Sequence, residues 1–160
     1  MRRVWAKRGQ RPSVPVHHRF QWLYVYGFVH PQTGRTFLPI RPKVNVDQFN
    51  QALTDFAQFA GTSPTKPCVV VLDQAGWHRS KKVVLPAGLQ LMPLPAYSPE
   101  LQPAERLWPL TNEGVANQCF ADLEALTSVQ RQRCETLQQS PQVIRDLTLF
   151  HWWPKLTNDH

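Results

Sequence analysis

The chain has 160 residues, 42% of them hydrophobic, which suits one domain with a buried core. No apolar run approaches the ~18 residues of a membrane span, and no apolar segment follows the basic start from Met1 to Arg8, which argues against a secretory signal. The net charge is +7, and nine of the 18 Lys and Arg (Arg2, Arg3, Lys7, Arg8, Arg11, Arg19, Arg35, Arg41 and Lys43) precede the first acid, Asp47. Such a stretch is the electrostatic footprint of a surface for a polyanion, with a merely solubilising role as its plainer explanation. The three cysteines, Cys68, Cys119 and Cys134, have no C-x-x-C spacing, so they read as reduced thiols in a cytoplasmic setting.

Met1 to His18, rich in Arg and Pro, reads as a loop or edge segment. Phe20 to Val29 is aromatic and β-branched, a strand pattern. Pro31 to Gly34 is a turn, and Arg35 to Ile40 returns as the second strand of a hairpin, with Pro39 marking an edge or an early end. From Val46 to Ala60 the period changes: Val46, Phe49, Leu53, Phe56 and Ala57 recur at helical spacing, with Asn45 as N-cap and Gly61 to Thr65 as the stop. Cys68 to Leu72 is a continuous apolar run, expected as a strand buried on both faces. Gln74 to Lys82 is a polar loop or a short helix start, and Leu89 to Leu94 another strand. Pro95 to Pro99 is a stiff loop, followed by a helix with Pro103 in its first turn. Asp122 to Gln139 and Gln142 to Leu147 read as further helices. The order predicts a mixed α/β sandwich, with a domain over residues 1–150 and a tail over 151–160. The 15 prolines, nearly twice the usual share of about 5%, fall in connections and imply stiff loops.

Acids are scarce, so their positions matter. Asp73 ends the most apolar strand, placed either to meet a ligand beyond the strand end or to cap the next turn through its own backbone. Glu105 lies in the first turn of a helix approached through two prolines. It is either an ordinary dipole-matched acid or a rigidly presented ligand. Metal-assisted phosphoryl transfer needs carboxylates from separate elements converging on Mg²⁺, a hard ion with oxygen ligands at about 2.0–2.1 Å. Two such ions about 3.5–4 Å apart activate the attacking oxygen and stabilise the leaving one. His78 could contact phosphate or orient a metal-bound water, or serve as a hydrogen bond within its loop. Arg106 is expected to point away from the acids and to pair with solvent or phosphate. Trp108 and the aromatic strand read as core before base stacking.

Two stretches, Val69-Val70-Val71-Leu72-Asp73-Gln74-Ala75-Gly76-Trp77-His78-Arg79-Ser80-Lys81-Lys82 and Leu94-Pro95-Ala96-Tyr97-Ser98-Pro99-Glu100-Leu101-Gln102-Pro103-Ala104-Glu105-Arg106-Leu107-Trp108, resemble motifs of the DDE-type transposases, in the branch that unites mariner-like elements with bacterial insertion sequences. Val4 to Pro12 resembles the segment after that family's first strand. The likeness runs from about Arg2 to about Leu110. Gln74 and Gln102 stand where the family commonly has Asn.

The resemblance implies a ribonuclease H-like mixed sheet flanked by helices, lacking part or all of the first strand. It makes Asp73 the second catalytic Asp and Glu105 the closing acid, both metal ligands, with His78 beside them. Glu105 follows Asp73 by 32 positions, a short interval for the branch, with the difference expected around Pro86 to Gly88. The implied cofactor is Mg²⁺, with Mn²⁺ as a substitute. The implied reaction is DNA strand cleavage and strand transfer.

Candidate partners are double-stranded DNA (element ends and target), a second copy of the chain and a separately encoded N-terminal half. Arg2, Arg3, Lys7, Arg8, Arg11, Lys81 and Lys82 are the candidate phosphate contacts, and the implied place is the nucleoid of a bacterial cytoplasm. The first catalytic Asp of the family has no counterpart before Asp47, so the chain is expected to be a fragment, an internal start or half of a split frame, inactive alone. The competing expectations are a non-catalytic DNA-binding or interaction remnant and a ribonuclease H-like resolvase. The Tyr97-to-Trp108 motif disfavours the resolvase.

Overall fold

The computed structural model describes residues 7–9 and 22–151. Expectations for Met1 to Ala6 and for residues 10–21 and 152–160 lie outside the described residues. These include Arg2, Arg3 and Arg11, the start of the Phe20 to Val29 strand, and the tail beyond residue 151.

The expected hairpin forms in two steps. Strands β1 (Tyr24–Val25) and β4 (Ile40–Arg41) pair antiparallel, as do β2 (Phe28–His30) and β3 (Arg35–Phe37). The ladder is interrupted between them, where the sequence pattern predicts one unbroken strand on each side. The cause is Pro39, which has no N–H to donate. Its carbonyl still accepts from Tyr26 at 3.0 Å. The neighbouring Leu38 N–H turns out of the ribbon and donates to Gln138 Oε1 at 2.7 Å. At the tip, Gly34 has φ 69°, and a Cβ there would lie 1.8 Å from the carbonyl oxygen of Pro141. The turn is thus pressed onto the backbone of a later helix, an approach that only glycine allows.

Helix α1 (Val46–Ala60) has the expected bounds. The Asn45 side chain accepts from the Gln48 N–H at 2.8 Å, and Gly61 closes the helix at φ 67°, the left-handed cap that glycine favours. Strand β5 (Cys68–Leu72) pairs in parallel with β6 (Leu89–Pro93), from Cys68 opposite Leu89 to Leu72 opposite Pro93. The expectation that β5 is buried on both faces is corrected. Only Leu72 is buried, and Val69 is half-exposed, because among the described residues β6 is the only strand beside it.

The helix expected around Pro103 is also corrected. Pro103–Leu107 is a 3₁₀ turn, and the α-helix α2 begins only at Trp108, running to Glu113. Pro109 explains the boundary, since it has no N–H to donate to the Glu105 carbonyl four residues back. Helices α3 (Leu123–Gln138) and α4 (Pro141–Thr148) follow. Asp122 caps α3 by accepting from the Ala125 N–H at 2.8 Å.

The hairpin is the middle layer of a mixed α/β arrangement. On one side Phe28 joins Phe49, Ala52 and Leu53 of α1 and Leu72 and Leu89 of the parallel pair, with Phe28 stacked on Phe56 at 4.4 Å. On the other side Leu38, with Val25, Val29 and Ile40 packed around it, meets Leu107, Cys134, Leu137 and Ile144. Trp108 packs into this second core, as expected, with its ring against Gly27. Burial pushes the thiols of Cys68 and Cys134 up, which leaves little thiolate for reaction.

Candidate active site

Strand β5 delivers Asp73 at its C-terminal end. The Leu72 carbonyl accepts from the Leu94 N–H at 2.8 Å, so the parallel pairing continues to the edge of the site. The side chain of Gln74 then ties the two strand ends together, Nε2 donating to the Leu94 carbonyl at 2.9 Å. The Asp73 carboxylate is 56% exposed. Its Oδ1 accepts from the Ala75 N–H at 3.0 Å and lies 2.7 Å from His78 Nδ1. A carboxylate only accepts, so Nδ1 bears the proton in this contact. Oδ2 takes no hydrogen bond among the described residues.

The His78 ring is held from behind, 4.5 Å from the Phe49 ring of α1 and 5.7 Å from that of Trp77. One oxygen of Asp73 therefore caps the turn, and the other takes no hydrogen bond among the described residues. His78 makes the expected hydrogen bond within the loop, and its partner is the Asp73 carboxylate.

Glu105 reaches the same cleft from the 3₁₀ turn. Its N–H donates to the Gln102 carbonyl at 3.1 Å, and its exposed carboxylate makes no hydrogen bond or ion pair among the described residues. Arg106 does not neutralise it, because the guanidinium sits over the Phe150 ring, 5.3 Å from its centroid. Asp73, Gln74, Arg79, Tyr97, Gln102 and Glu105 are among the residues lining one cleft of about 420 Å³. A second cavity of about 360 Å³, between Trp22, Tyr24, Trp108 and Gln130, carries no acid on its walls. Two exposed carboxylates with unengaged oxygens are a hard donor set suited to Mg²⁺ or Mn²⁺. Among the described residues no three His, Cys, Asp or Glu side chains are gathered closely enough to hold a metal ion, although His78 lies against Asp73.

Of the candidate phosphate contacts, Lys7, Arg8, Lys81 and Lys82 are exposed. The loop bearing Lys81 and Lys82 is fastened to α1 by Asn50, whose Nδ2 donates to the Lys82 carbonyl and whose Oδ1 accepts from the Val84 N–H, both at 3.0 Å. Neither lysine lines the cleft, whereas Arg79 does. Arg35 and Arg41, counted in the basic stretch, have structural partners. Arg35 lies over Phe59 and donates to its carbonyl at 2.7 Å, and Arg41 pairs with Asp55. Sequence reasoning gave no role to Arg79, Asn50 or Tyr97. The basic side chain of Arg79 is a signal for the first, and nothing local marks the second.

A family profile described as DDE superfamily endonuclease matches residues 1–127. The chain belongs to this family. DDE superfamily endonucleases act on DNA and generally use divalent metal ions, and the mixed α/β fold with its acid-lined cleft accords with that membership. A curated relative, the uncharacterized protein y4pE/y4sA of Sinorhizobium fredii (strain NBRC 101917 / NGR234), is 28% identical over 132 residues, covering 82% of this chain and 96% of its own length. No solved structure matches. No helix among the described residues is long and apolar enough to cross a membrane.

Proposed function

We propose that this DDE superfamily endonuclease is the catalytic core of an insertion-sequence transposase of the mariner-like branch, built on a ribonuclease H-like sheet. In this reading Asp73 and Glu105 hold a divalent cation, Mg²⁺ or Mn²⁺, for DNA strand cleavage and transfer. The observation that supports the reading is that two carboxylates, from the end of β5 and from the 3₁₀ turn before α2, line one cleft with oxygens left unengaged. A cation held there would supply charge to the scissile phosphate and lower the pKa of the attacking oxygen. The protein's own groups do the rest. His78 and the Ala75 N–H fix the rotation of the Asp73 carboxylate. Gln74 locks the two strand ends. Arg79 meets a phosphate entering the cleft, while Lys7, Arg8, Lys81 and Lys82, with Arg2, Arg3 and Arg11, contact the backbone of double-stranded DNA further out.

Two carboxylates are too few for a pair of ions. The chain alone is read as binding one ion weakly, with a further carboxylate coming from a second copy, on DNA in a bacterial nucleoid. The same shortage of ligands favours a second reading, a DNA-binding remnant without chemistry.

The test is binding to a DNA duplex with and without Mn²⁺, beside nicking of a supercoiled plasmid, for the native chain and Asp73→Asn. Mn²⁺ should strengthen DNA binding in the native chain and not in the variant, with no nicking by either. Equal Mn²⁺ stimulation of both would remove Asp73 from the site. Loss of stimulation from both would leave the remnant. Metal-dependent nicking that vanishes in Asp73→Asn would overturn the shared-site reading and make the chain a complete enzyme.

A further inference from the structure

Tyr97 is at odds with ordinary folding logic. Its side chain is fully exposed, at 101% of the reference area, the highest among the exposed large hydrophobic residues described. Its backbone has φ 58°, a left-handed conformation that costs a non-glycine residue free energy. The other non-glycine residue with positive φ is Asn117, whose short polar side chain tolerates that region. A tyrosine has no such excuse, and its exposed ring returns little packing energy to offset the strain.

The frame around it is rigid. Pro95 and Pro99 flank the loop, the Leu94 carbonyl is held by Gln74, the Ser98 hydroxyl donates to the Ala96 carbonyl at 3.3 Å, and the Leu101 N–H donates to the Ser98 carbonyl at 3.1 Å. Strain held by a surrounding frame is a feature of binding and reaction sites. Here it stands on the wall of the cleft that Asp73 and Glu105 line.

We propose that Tyr97 is a nucleobase platform: its ring stacks on an unpaired base of the DNA strand whose phosphate enters the Asp73–Glu105 cleft. The inference rests on the reading of that cleft as a DNA-processing centre, and adds which part of the DNA it grips. Within a duplex both faces of a base are covered by its neighbours, so a bare aromatic ring gains a stacking partner only at an unpaired base or a strand end. Aromatic stacking accepts any base, so the platform positions the strand without reading its sequence. Arg79, on the same cleft and only loosely engaged with Gln74 Oε1 at 3.4 Å, supplies the cation for the adjoining phosphate.

The test uses duplexes with a short single-stranded overhang carrying 5-iododeoxyuridine at successive positions, in Ca²⁺, with the full chain. Photo-crosslinking should map to Tyr97. Tyr97→Phe should keep the affinity. Tyr97→Gly should weaken overhang binding about 5- to 150-fold, the range expected for one stacked base. The glycine substitution also relaxes the strained backbone, so the melting temperature of Tyr97→Gly should equal or exceed the native value, which excludes misfolding as the cause. Mn²⁺ affinity should be unchanged in Tyr97→Gly. Native overhang affinity in Tyr97→Gly, or a preference for an RNA overhang over DNA, overturns the platform. Mn²⁺ affinity that survives Asp73→Asn overturns the underlying reading of the cleft instead, so the two failures are distinguishable.

Discussion

His78 makes two contacts whose consequences a pair of substitutions can separate. Its ring, 15% exposed, packs 4.5 Å from Phe49, and its Nδ1 lies 2.7 Å from Asp73 Oδ1. His78→Phe keeps an aromatic ring in the same space and removes only the hydrogen bond. Asp73 is more than half exposed, so water replaces much of that bond, and the stability cost should stay below about 1 kcal/mol. The orienting effect does not survive the change. With only the Ala75 N–H left on Oδ1, the carboxylate rotates more freely, and Mn²⁺ affinity should fall by roughly 10- to 100-fold, as for loss of an orienting neighbour at other metal sites. His78→Ala loses the packing as well, at about 1–3 kcal/mol, which lowers the melting temperature by several degrees. Calorimetric titration with Mn²⁺ and thermal melting of both variants separate the two costs. A His78→Phe protein that melts like the native chain and binds Mn²⁺ equally well would refute the claim that His78 orients Asp73.

Gly34→Ala meets two obstacles, the left-handed φ and the Pro141 carbonyl 1.8 Å from the new Cβ. It should cost at least about 3 kcal/mol out of a typical total of roughly 5–15. Gly61→Ala has a similar φ but only the flexible Lys66 Nζ nearby, at 3.5 Å, and should cost about 1 kcal/mol in urea denaturation. Equal losses would mean that the turn does not bear on α4. Gln138→Ala leaves the part-buried Leu38 N–H without its acceptor and should destabilise by about 1–3 kcal/mol, where a neutral result would show that water replaces it. Affinity for duplex DNA should be sequence-independent and fall by about 10³-fold or more between 50 and 200 mM salt if six or more phosphates are contacted. A flat salt response would remove the basic surface from the account.

Where the sequence was informative, the signal was local. The bounds of α1 could be read from Asn45, the helical spacing and Gly61, because capping is decided within a few residues. The break in the hairpin could not. Pro39 hinted at it, but the Leu38 amide is satisfied by Gln138, 100 positions away, and no local pattern encodes that. The apolar run of β5 suggested burial on two sides, yet how many of its edges are partnered is a tertiary fact. The 3₁₀ form of Pro103–Leu107 was readable in principle, since Pro109 removes the donor for the Glu105 carbonyl.

At the site, position alone left Asp73 balanced between capping and ligation, and the fold assigns one oxygen to the cap and leaves the other unengaged. That Glu105 shares its cleft followed from the family resemblance and not from spacing. Tyr97 stood inside the recognised motif, and its strain became visible only with the backbone in place.

The most direct test of the central claim is Mn²⁺ binding to the native chain, to Asp73→Asn, to Glu105→Gln and to the double variant, read by electron paramagnetic resonance. If one ion bridges the two carboxylates, each single variant should lose more than the roughly 10- to 100-fold expected for an orienting neighbour. The double variant should then be little worse than either single one, because the pair acts as a unit. Native-like binding in either single variant would contradict a metal site shared between Asp73 and Glu105.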